Sequence, residues 1–417
     1  VRRILALAAL NLLVLGALTA PAVAGLPIRI AEIVGVEHRT DALAAVMVCG
    51  AIGASVGNPL FGFLSDRSRA RFGRRPWLVV GVVGGALGCA GVLLSPNVPT
   101  IAASWAFAQF AYNATLAAAA GLLADGVSET ARASASGIFG AATFLGTLPA
   151  LVLVAVFPER IAIIMLVVPI VTLVATTILA ILIREGARTG VAAPGSVRAP
   201  APRRTVVLFS LLAAQRFTMQ LAFSLLASFT VYFIAQRFAV SVTDAAPVSS
   251  LTTALGGAGI VVSALVVGFL SARGGRYGPV VVLAAVGLAA GACIRAFTTA
   301  PLGLWASAAV AGVALGAFYA VDLAAALRIA PPESAGRYLG FFNLAETLPQ
   351  TLSPAIAGAV LAVSGRDVIG GGADDFTTLH LLAAAIAAAS LCFVPALAPV
   401  LRRSRPIPAE SVAPGPR

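Results

Sequence analysis

Three ionisable side chains, Arg216, Asp322 and Glu346, stand inside stretches otherwise too apolar to tolerate them. A charge in hydrocarbon is costly, so such residues face a partner or a watered cavity and mark routes for protons, ions or polar solutes. Two acids for one base leave a carboxylate able to change protonation. Pairing with the arginine lowers an acid's pKa and desolvation raises it, so the acid further from Arg216 is the better proton carrier, with Glu346 favoured. The competing reading is an Arg216–Asp322 bridge that only locks two helices together. Polar residues recur around these three at helical spacing. Arg216, Gln220 and Ser224 form one stripe, Asn343, Glu346, Thr347 and Gln350 a second, and Gln109, Tyr112 and Asn113 a third. With Tyr319 three residues before Asp322, and weaker polarity from Asn11 and Thr19, these stripes are expected to line a common solute cavity. Arg295, near the end of its apolar run, is expected to snorkel to the interface. His38 and His380 fall at loop or helix-end positions, which leaves no intramembrane histidine as a proton relay.

The elements that must position these groups are membrane helices. Of 417 residues, 59% are hydrophobic and 11% charged, whereas a soluble domain carries about 25% charged residues. Apolar runs of about 20 residues, enough to span a bilayer, recur at 4–26, 42–64, 76–95, 100–124, 134–156 and 161–183, then at 206–234, 249–271, 279–298, 302–327, 338–363 and 378–400. The first run, after Arg2-Arg3, imitates a secretory signal but extends past a signal core, and reads as an uncleaved first helix. The expected architecture is all-α and integral to the membrane: an N-terminal six-helix bundle over 1–183, a cytosolic linker over 184–205, a C-terminal six-helix bundle over 206–401 and a disordered tail over 402–417. An internal repeat supports the duplication, since Gly62-Phe-Leu-Ser65 recurs as Gly268-Phe-Leu-Ser271 and Tyr112 is matched by Tyr319 in nearly the same register. Gly53-x-x-x-Gly57, Gly81-x-x-x-Gly85 and Gly312-x-x-x-Gly316 are small-residue faces for close helix contact.

A net charge of +12 invites a nucleic-acid reading, but the basic residues sit in short loops between apolar runs. With both termini inside, 21 of the 28 arginines face the cytosol and five the other side, the bias expected of a protein of the inner, cytoplasmic membrane. The chain has no lysine, which excludes a Gly-x-x-x-x-Gly-Lys phosphate loop. Cys49, Cys89, Cys293 and Cys392 show no metal or redox spacing and are expected as free thiols. The acids of the loop over 365–375 lack calcium-loop spacing. No metal-ligand pair, nucleophile–histidine pair or dinucleotide fingerprint suggests an enzyme.

Between the second and third runs lies Asn58-Pro-Leu-Phe-Gly-Phe-Leu-Ser-Asp-Arg-Ser-Arg-Ala-Arg-Phe-Gly-Arg-Arg-Pro76, in which Gly62 and Gly73 bracket a turn, Asp66 could sit near a helix N-terminus, and Arg67, Arg69, Arg71, Arg74 and Arg75 must face water. This stretch resembles the helix 2–3 signature loop of the major facilitator superfamily, nearest its sugar–cation symporter branches, the glycoside-pentoside-hexuronide and sucrose-type carriers. The resemblance implies two pseudo-symmetric six-helix bundles rocking about a central site. It also implies a cytosolic gate in which Asp125 pairs with Arg71 or Arg74, with Arg67 beside them, and Asp66 caps the start of the eleventh helix. Arg216 and the Tyr319-x-x-Asp322 pair also resemble positions in that branch, whereas Glu346 matches none. Those symporters place acids for sodium or proton in helix 2, where this chain has Asn58, so a proton on Asp322 or Glu346 is the expected coupling ion, sodium less so, and no cofactor. The expected activity is proton-coupled transport of a small polar organic solute, a sugar or glycoside favoured, with no nucleic acid or obligate protein partner. Proton-driven efflux of a drug or secondary metabolite is the alternative, and a non-transporting membrane receptor or scaffold a third class.

Overall fold

In a computed structural model, residues 2–68, 71–126, 146–183, 203–274, 277–329 and 335–402 are described, and they are helical apart from short connections. The helices are α1 (Arg2–Ala20), α2 (Leu26–Ser68), α3 (Arg75–Leu94), α4 (Val98–Gly126), α5 (Gly146–Val156), α6 (Ile161–Leu182), α7 (Arg203–Ala227), α8 (Thr230–Arg237), α9 (Val242–Gly274), α10 (Tyr277–Phe297), α11 (Pro301–Ile329), α12 (Ala335–Ser364), α13 (Phe376–Ala389) and α14 (Val394–Leu401). Nine stretches of described helix are long and apolar enough to cross a membrane. α4 and α12, of 29 and 30 residues, have the length as well; the polar stripes they carry dilute their apolarity. Counting the described part of α5, a shorter apolar helix, the described residues contain twelve such helices.

The packing is that of a duplicated unit. α2 lies on α4 as α9 lies on α11, α3 touches α4 and α6 as α10 touches α11 and α13, and α1 meets α6 as α7 meets α13. Small residues permit the closest crossings, on α2 in the first half and on both α9 and α11 in the second, where a Cβ on Gly259, 206 residues after Gly53, would lie 3.0 Å from Val313 N. A Cβ on Gly53 or Gly57 of α2 would run into the α4 backbone at Ala106 and Phe110, whereas in the second half Gly312 and Gly316 of α11 press on the α9 backbone at Gly256 and Ile260.

Three local expectations are corrected. The loop expected over 27–41 is mostly helix: α1 continues through a π turn at Pro21–Gly25 into α2, and the chain reverses only at Gly35 (φ 73°, ψ −171°). Arg29 makes this extension tolerable by bonding Glu32 at 2.9 Å and the Ser95 carbonyl at 3.0 Å. The run expected unbroken over 206–234 is two helices, because Phe229 adopts a left-handed conformation (φ 53°, ψ 27°). Ser228 Oγ donates to the Ser224 carbonyl and Thr230 Oγ1 to the Ala227 carbonyl, each at 2.8 Å, so side chains capture the carbonyls of the last turn of α7. Lastly, α2 runs through Gly62 and Asp66 to Ser68, so Gly62 is a helix residue and Asp66 lies at a C-terminal end rather than an N-terminal one. Gly73, at φ 76°, is the turn's left-handed residue among the described ones.

The helix interruptions in the two halves correspond. The 206 residues that separate Gly62 from Gly268 also separate Ala22, inside the π turn, from Ser228, at the α7–α8 break. On the face opposite the chain termini the halves meet: Ala246 of α9 packs among Ala20, Ala24, Ile28, Ala150, Val154 and Ile164, and a Cβ on Gly358 of α12 would lie 2.7 Å from Ala44 Cβ of α2.

Candidate functional site

α7, α11 and α12 bring Arg216, Asp322 and Glu346 together. The Arg216 guanidinium bonds both carboxylates, through Nη1 to Asp322 Oδ2 and through Nη2 to Glu346 Oε2. Two rings complete the enclosure, with the guanidinium carbon 4.5 Å from the Phe342 ring centroid and 5.0 Å from that of Tyr319. A cation so stacked and paired retains much of the stabilisation it loses in leaving water. The acids differ in surroundings. The Asp322 side chain is 0% exposed and its Oδ1 has no hydrogen-bond partner, whereas the Glu346 side chain is 27% exposed. Because Arg216 holds both, distance from the arginine does not distinguish them; access to water does, and it singles out Glu346.

That access is to a cavity of roughly 650 Å³ between the halves. Glu346 lines it together with Gln220, Ser224, Tyr319 and Gln350, four of the eleven uncharged polar residues expected there, and with Ser249, Thr253 and Ser353, which sequence reading passed over. The Tyr319 hydroxyl donates to Gln220 Oε1, and Gln220 Nε2 donates to Ser224 Oγ at 3.3 Å, so a chain of polar groups leads along the wall beside Glu346. Both helix interruptions border the same space, Ala22 and Val23 from the π turn and Ser228, Phe229 and Thr230 from the α7–α8 break. The first half otherwise contributes mainly apolar lining, including Pro27, Leu43 and Met47.

Other expected lining residues lie elsewhere. Tyr112 is 0% exposed and points at α3, where its ring fills the space left by Gly85 and its hydroxyl meets the Cys89 thiol. Asn113 is bound into the α2–α4 seam, accepting from Asn58 Nδ2 at 3.0 Å and donating to the Gln109 carbonyl at 2.8 Å. Gln109 and Asn113 are therefore absent from the lining, their stripe being consumed by helix contact. Asn11 is buried with a partner of its own, Thr19 bonds the Leu15 carbonyl one turn back, and Thr347 is exposed away from the cavity. The side chain of Asn343 lies outside the described residues.

The signature loop is only partly visible. Arg74 is 7% exposed and donates to Ser65 Oγ at 2.9 Å beside Gly121 of α4, while Arg67 and Arg71 are exposed. The side chains of Asp66 and Asp125, and with them the expected gate pairs, lie outside the described residues.

Two residues on the opposite face depart from expectation. Arg295 does not snorkel; at 3% exposure it donates to Thr230 Oγ1 at 2.7 Å and lies 5.3 Å over Phe233. His380 is 0% exposed within α13, against Phe233 at 4.8 Å, and both its ring nitrogens lack partners. The reason is α8, which folds back over α9 and carries Thr230 and Phe233 onto groups that an unbroken helix would leave at the surface. Beside them Arg237 bonds Asp367 at 2.7 Å and Thr377 at 2.9 Å.

Comparison with known proteins agrees with this architecture. A family model for the Major Facilitator Superfamily matches residues 5–259 and again residues 212–416. No curated protein matches. Among solved structures, a bacterial homologue of the human lysosomal transporter Spinster, inward-facing and unoccupied, is 17% identical with a TM-score of 0.64 over 96% of this chain and 95% of that one. The nucleoside transporter NupG is 16% identical, TM-score 0.69, over 97% and 100%. A D-xylose–proton symporter is 14% identical, TM-score 0.65, over 91% and 95%. At these identities the solved structures speak for the fold, and the family model, matching well over half of the chain, speaks for kinship: the chain belongs to the major facilitator superfamily, a family of transporters rather than enzymes.

Proposed function

We propose that this protein is a proton-coupled secondary transporter of a small polar organic solute, sugar- or glycoside-like, working by alternating access with Glu346 as the proton-exchanging group. The observation that carries the reading is one carboxylate, Glu346, sharing Arg216 with a second acid while facing the cavity. Protonating Glu346 leaves the Arg216–Asp322 pair balanced; removing that proton restores a net negative cluster beside the polar wall. Hydroxyls and amides of Gln220, Ser224, Tyr319, Gln350 and Ser353 suit a solute rich in hydrogen-bonding groups. The likeness to NupG and to the D-xylose–proton symporter is in keeping with such a solute. The arginine bias puts the termini in the cytosol and the chain in the cytoplasmic membrane. The bundle boundaries near 183 and 206 accompany this reading, as does a cytosolic gate built on Asp66, Arg67, Arg71, Arg74 and Asp125.

The second reading, proton-driven efflux, is favoured by the apolar share of the lining (Ala22, Val23, Leu43, Met47, Phe223) and by Glu346 as its single charged side chain among the described residues, a setting that would also accept an amphipathic organic cation. Uptake and efflux in proteoliposomes with an imposed pH gradient, screened over sugars, glycosides, nucleosides and hydrophobic cations, separates the two. Glu346→Gln is expected to leave solute exchange intact while abolishing accumulation driven by the pH gradient. Unchanged accumulation would remove Glu346 from the mechanism.

A further inference from the structure

A carboxylate sits at the centre of the contacts that close the face opposite the termini. Gln236 of α8 pins the backbone of Asp374 twice, donating from Nε2 to its carbonyl at 2.6 Å and accepting from its N–H at 3.1 Å. The Asp374 carboxylate then reaches across to the other half, where Thr40 Oγ1 of α2 donates to it at 2.6 Å. One residue away the Arg39 guanidinium lies 4.9 Å over the Tyr232 ring, and the Tyr232 hydroxyl donates to the Pro27 carbonyl at 3.0 Å. Arg39 and Thr40 are 7% and 3% exposed, whereas Asp374 is half-buried, within reach of water on this face.

We propose that Asp374 is a positioning residue of the transport cycle: it holds the opposite-face gate shut between Gln236 and Thr40, and holds it more firmly when protonated. The proposal rests on the alternating-access reading above. The charged and titratable groups facing Asp374 are Arg39 and Asp41 from α2 and Tyr232 from α8, while Asp375, next in its own loop, is turned away to cap Thr378. Burial raises the Asp374 carboxyl above the ordinary carboxylate range; the Thr40 hydrogen bond and Arg39 pull it back in part, and Asp41 adds to the rise. When the gate opens, water reaches the group and its affinity for a proton returns towards the ordinary value. The closed gate therefore binds the proton more tightly than the open one, so acid on this face favours closure and loss of the proton favours opening. A proton arriving from this side would thus shut the gate behind an entering solute.

The test reads the gate without solute or proton flux. An Ala44→Cys reporter, seated in the seam against Gly358, is labelled by a membrane-impermeant maleimide from the opposite face between about pH 4 and about pH 7, from the ordinary carboxylate range upwards. The same protein without the reporter supplies the background from its four cysteines. Labelling is expected to slow several-fold as pH falls, after correction for maleimide reactivity measured on a free thiol. Asp374→Asn is expected to label slowly and independently of pH, and Asp374→Ala about tenfold faster than the parent at low pH. Thr40→Val removes the same bond and carries the test should Asp374→Ala fail to insert. The proposal is overturned if Asp374→Asn keeps the parental pH response, or if Asp374→Ala and Thr40→Val both label as the parent does. A response lost in Glu346→Gln but kept in Asp374→Asn would place the sensor in the central cluster instead. Because no transport is measured, failure of the transport reading leaves this outcome legible.

Discussion

Replacing Arg216 by methionine should cost the protein far more than replacing either acid. Arg216→Met keeps the volume near the Phe342 and Tyr319 rings but strands two carboxylates. Glu346, 27% exposed, can turn its charge to the cavity, whereas Asp322, 0% exposed, cannot. Removing one partner of a buried pair costs about 3–5 kcal/mol, and here most of that cost falls on Asp322. Asp322→Asn alone should be milder, since Arg216 keeps Glu346 and the amide oxygen still accepts a hydrogen bond. In the double variant Arg216→Met with Asp322→Asn the stranded buried charge is gone, and the loss should be smaller than in Arg216→Met alone, with a coupling of about 2 kcal/mol between the sites. The assay is a double-mutant cycle on denaturant or thermal unfolding of the purified protein in detergent, followed by tryptophan fluorescence. Additive losses would refute the argument, because they would mean that Asp322 does not depend on Arg216 for its place in the interior.

Two further outcomes follow from geometry elsewhere. Gly85→Leu should abolish folded yield by evicting the Tyr112 ring, whereas Gly62→Ala, whose new methyl meets nothing within 4 Å, should leave yield unchanged in size-exclusion profiles. In the loop after α12, the Asp367 carboxyl is held below the ordinary carboxylate range: burial works against this, but hydrogen bonds from Thr377 and Arg237 prevail. A depressed pKa contributes stability that is present above about pH 4 and is lost as pH falls through the folded-state value. Thermal stability should therefore decline over that acidic window, and Asp367→Asn should flatten that part of the profile; an identical decline in the variant would rule this group out.

How much of this was legible in the sequence depends on whether a residue's cost could be read locally. Arg216, Asp322 and Glu346 could be, because a charge in an apolar run demands partners wherever it lies, and the partners turned out to be one another. Tyr112 and Asn113 could not, since a polar side chain at helical spacing looks the same whether it meets solute or a neighbouring helix, and the deciding feature was Gly85 and Asn58 on other crossings. Arg295 and His380 were misjudged for a related reason: their burial is produced by α8, which exists only because Ser228 and Thr230 capture carbonyls at the end of α7. The two prolines of α12, Pro349 and Pro354, gave no boundary signal either, as a helix wedged among others tolerates them. Phe342, stacked on Arg216, could have been found from its place one turn before Glu346 on the same helix face.

The placement of glycines in the two halves has a consequence for how the ancestry of this chain can be recognised. A tight crossing asks for one slender partner and is indifferent to which of the two rods supplies it. The two copies share one answer, Gly53 in the first and Gly259 at the same register in the second, and the second adds Gly312 and Gly316 on the other rod. Aligned to each other, the copies therefore agree at the glycines of their tight seams, Gly81 and Gly85 matching Gly287 and Gly291 by the same 206 residues. Kinship thus survives in the spelling where two backbones must touch, as well as at Gly62-Phe-Leu-Ser65 and Gly268-Phe-Leu-Ser271.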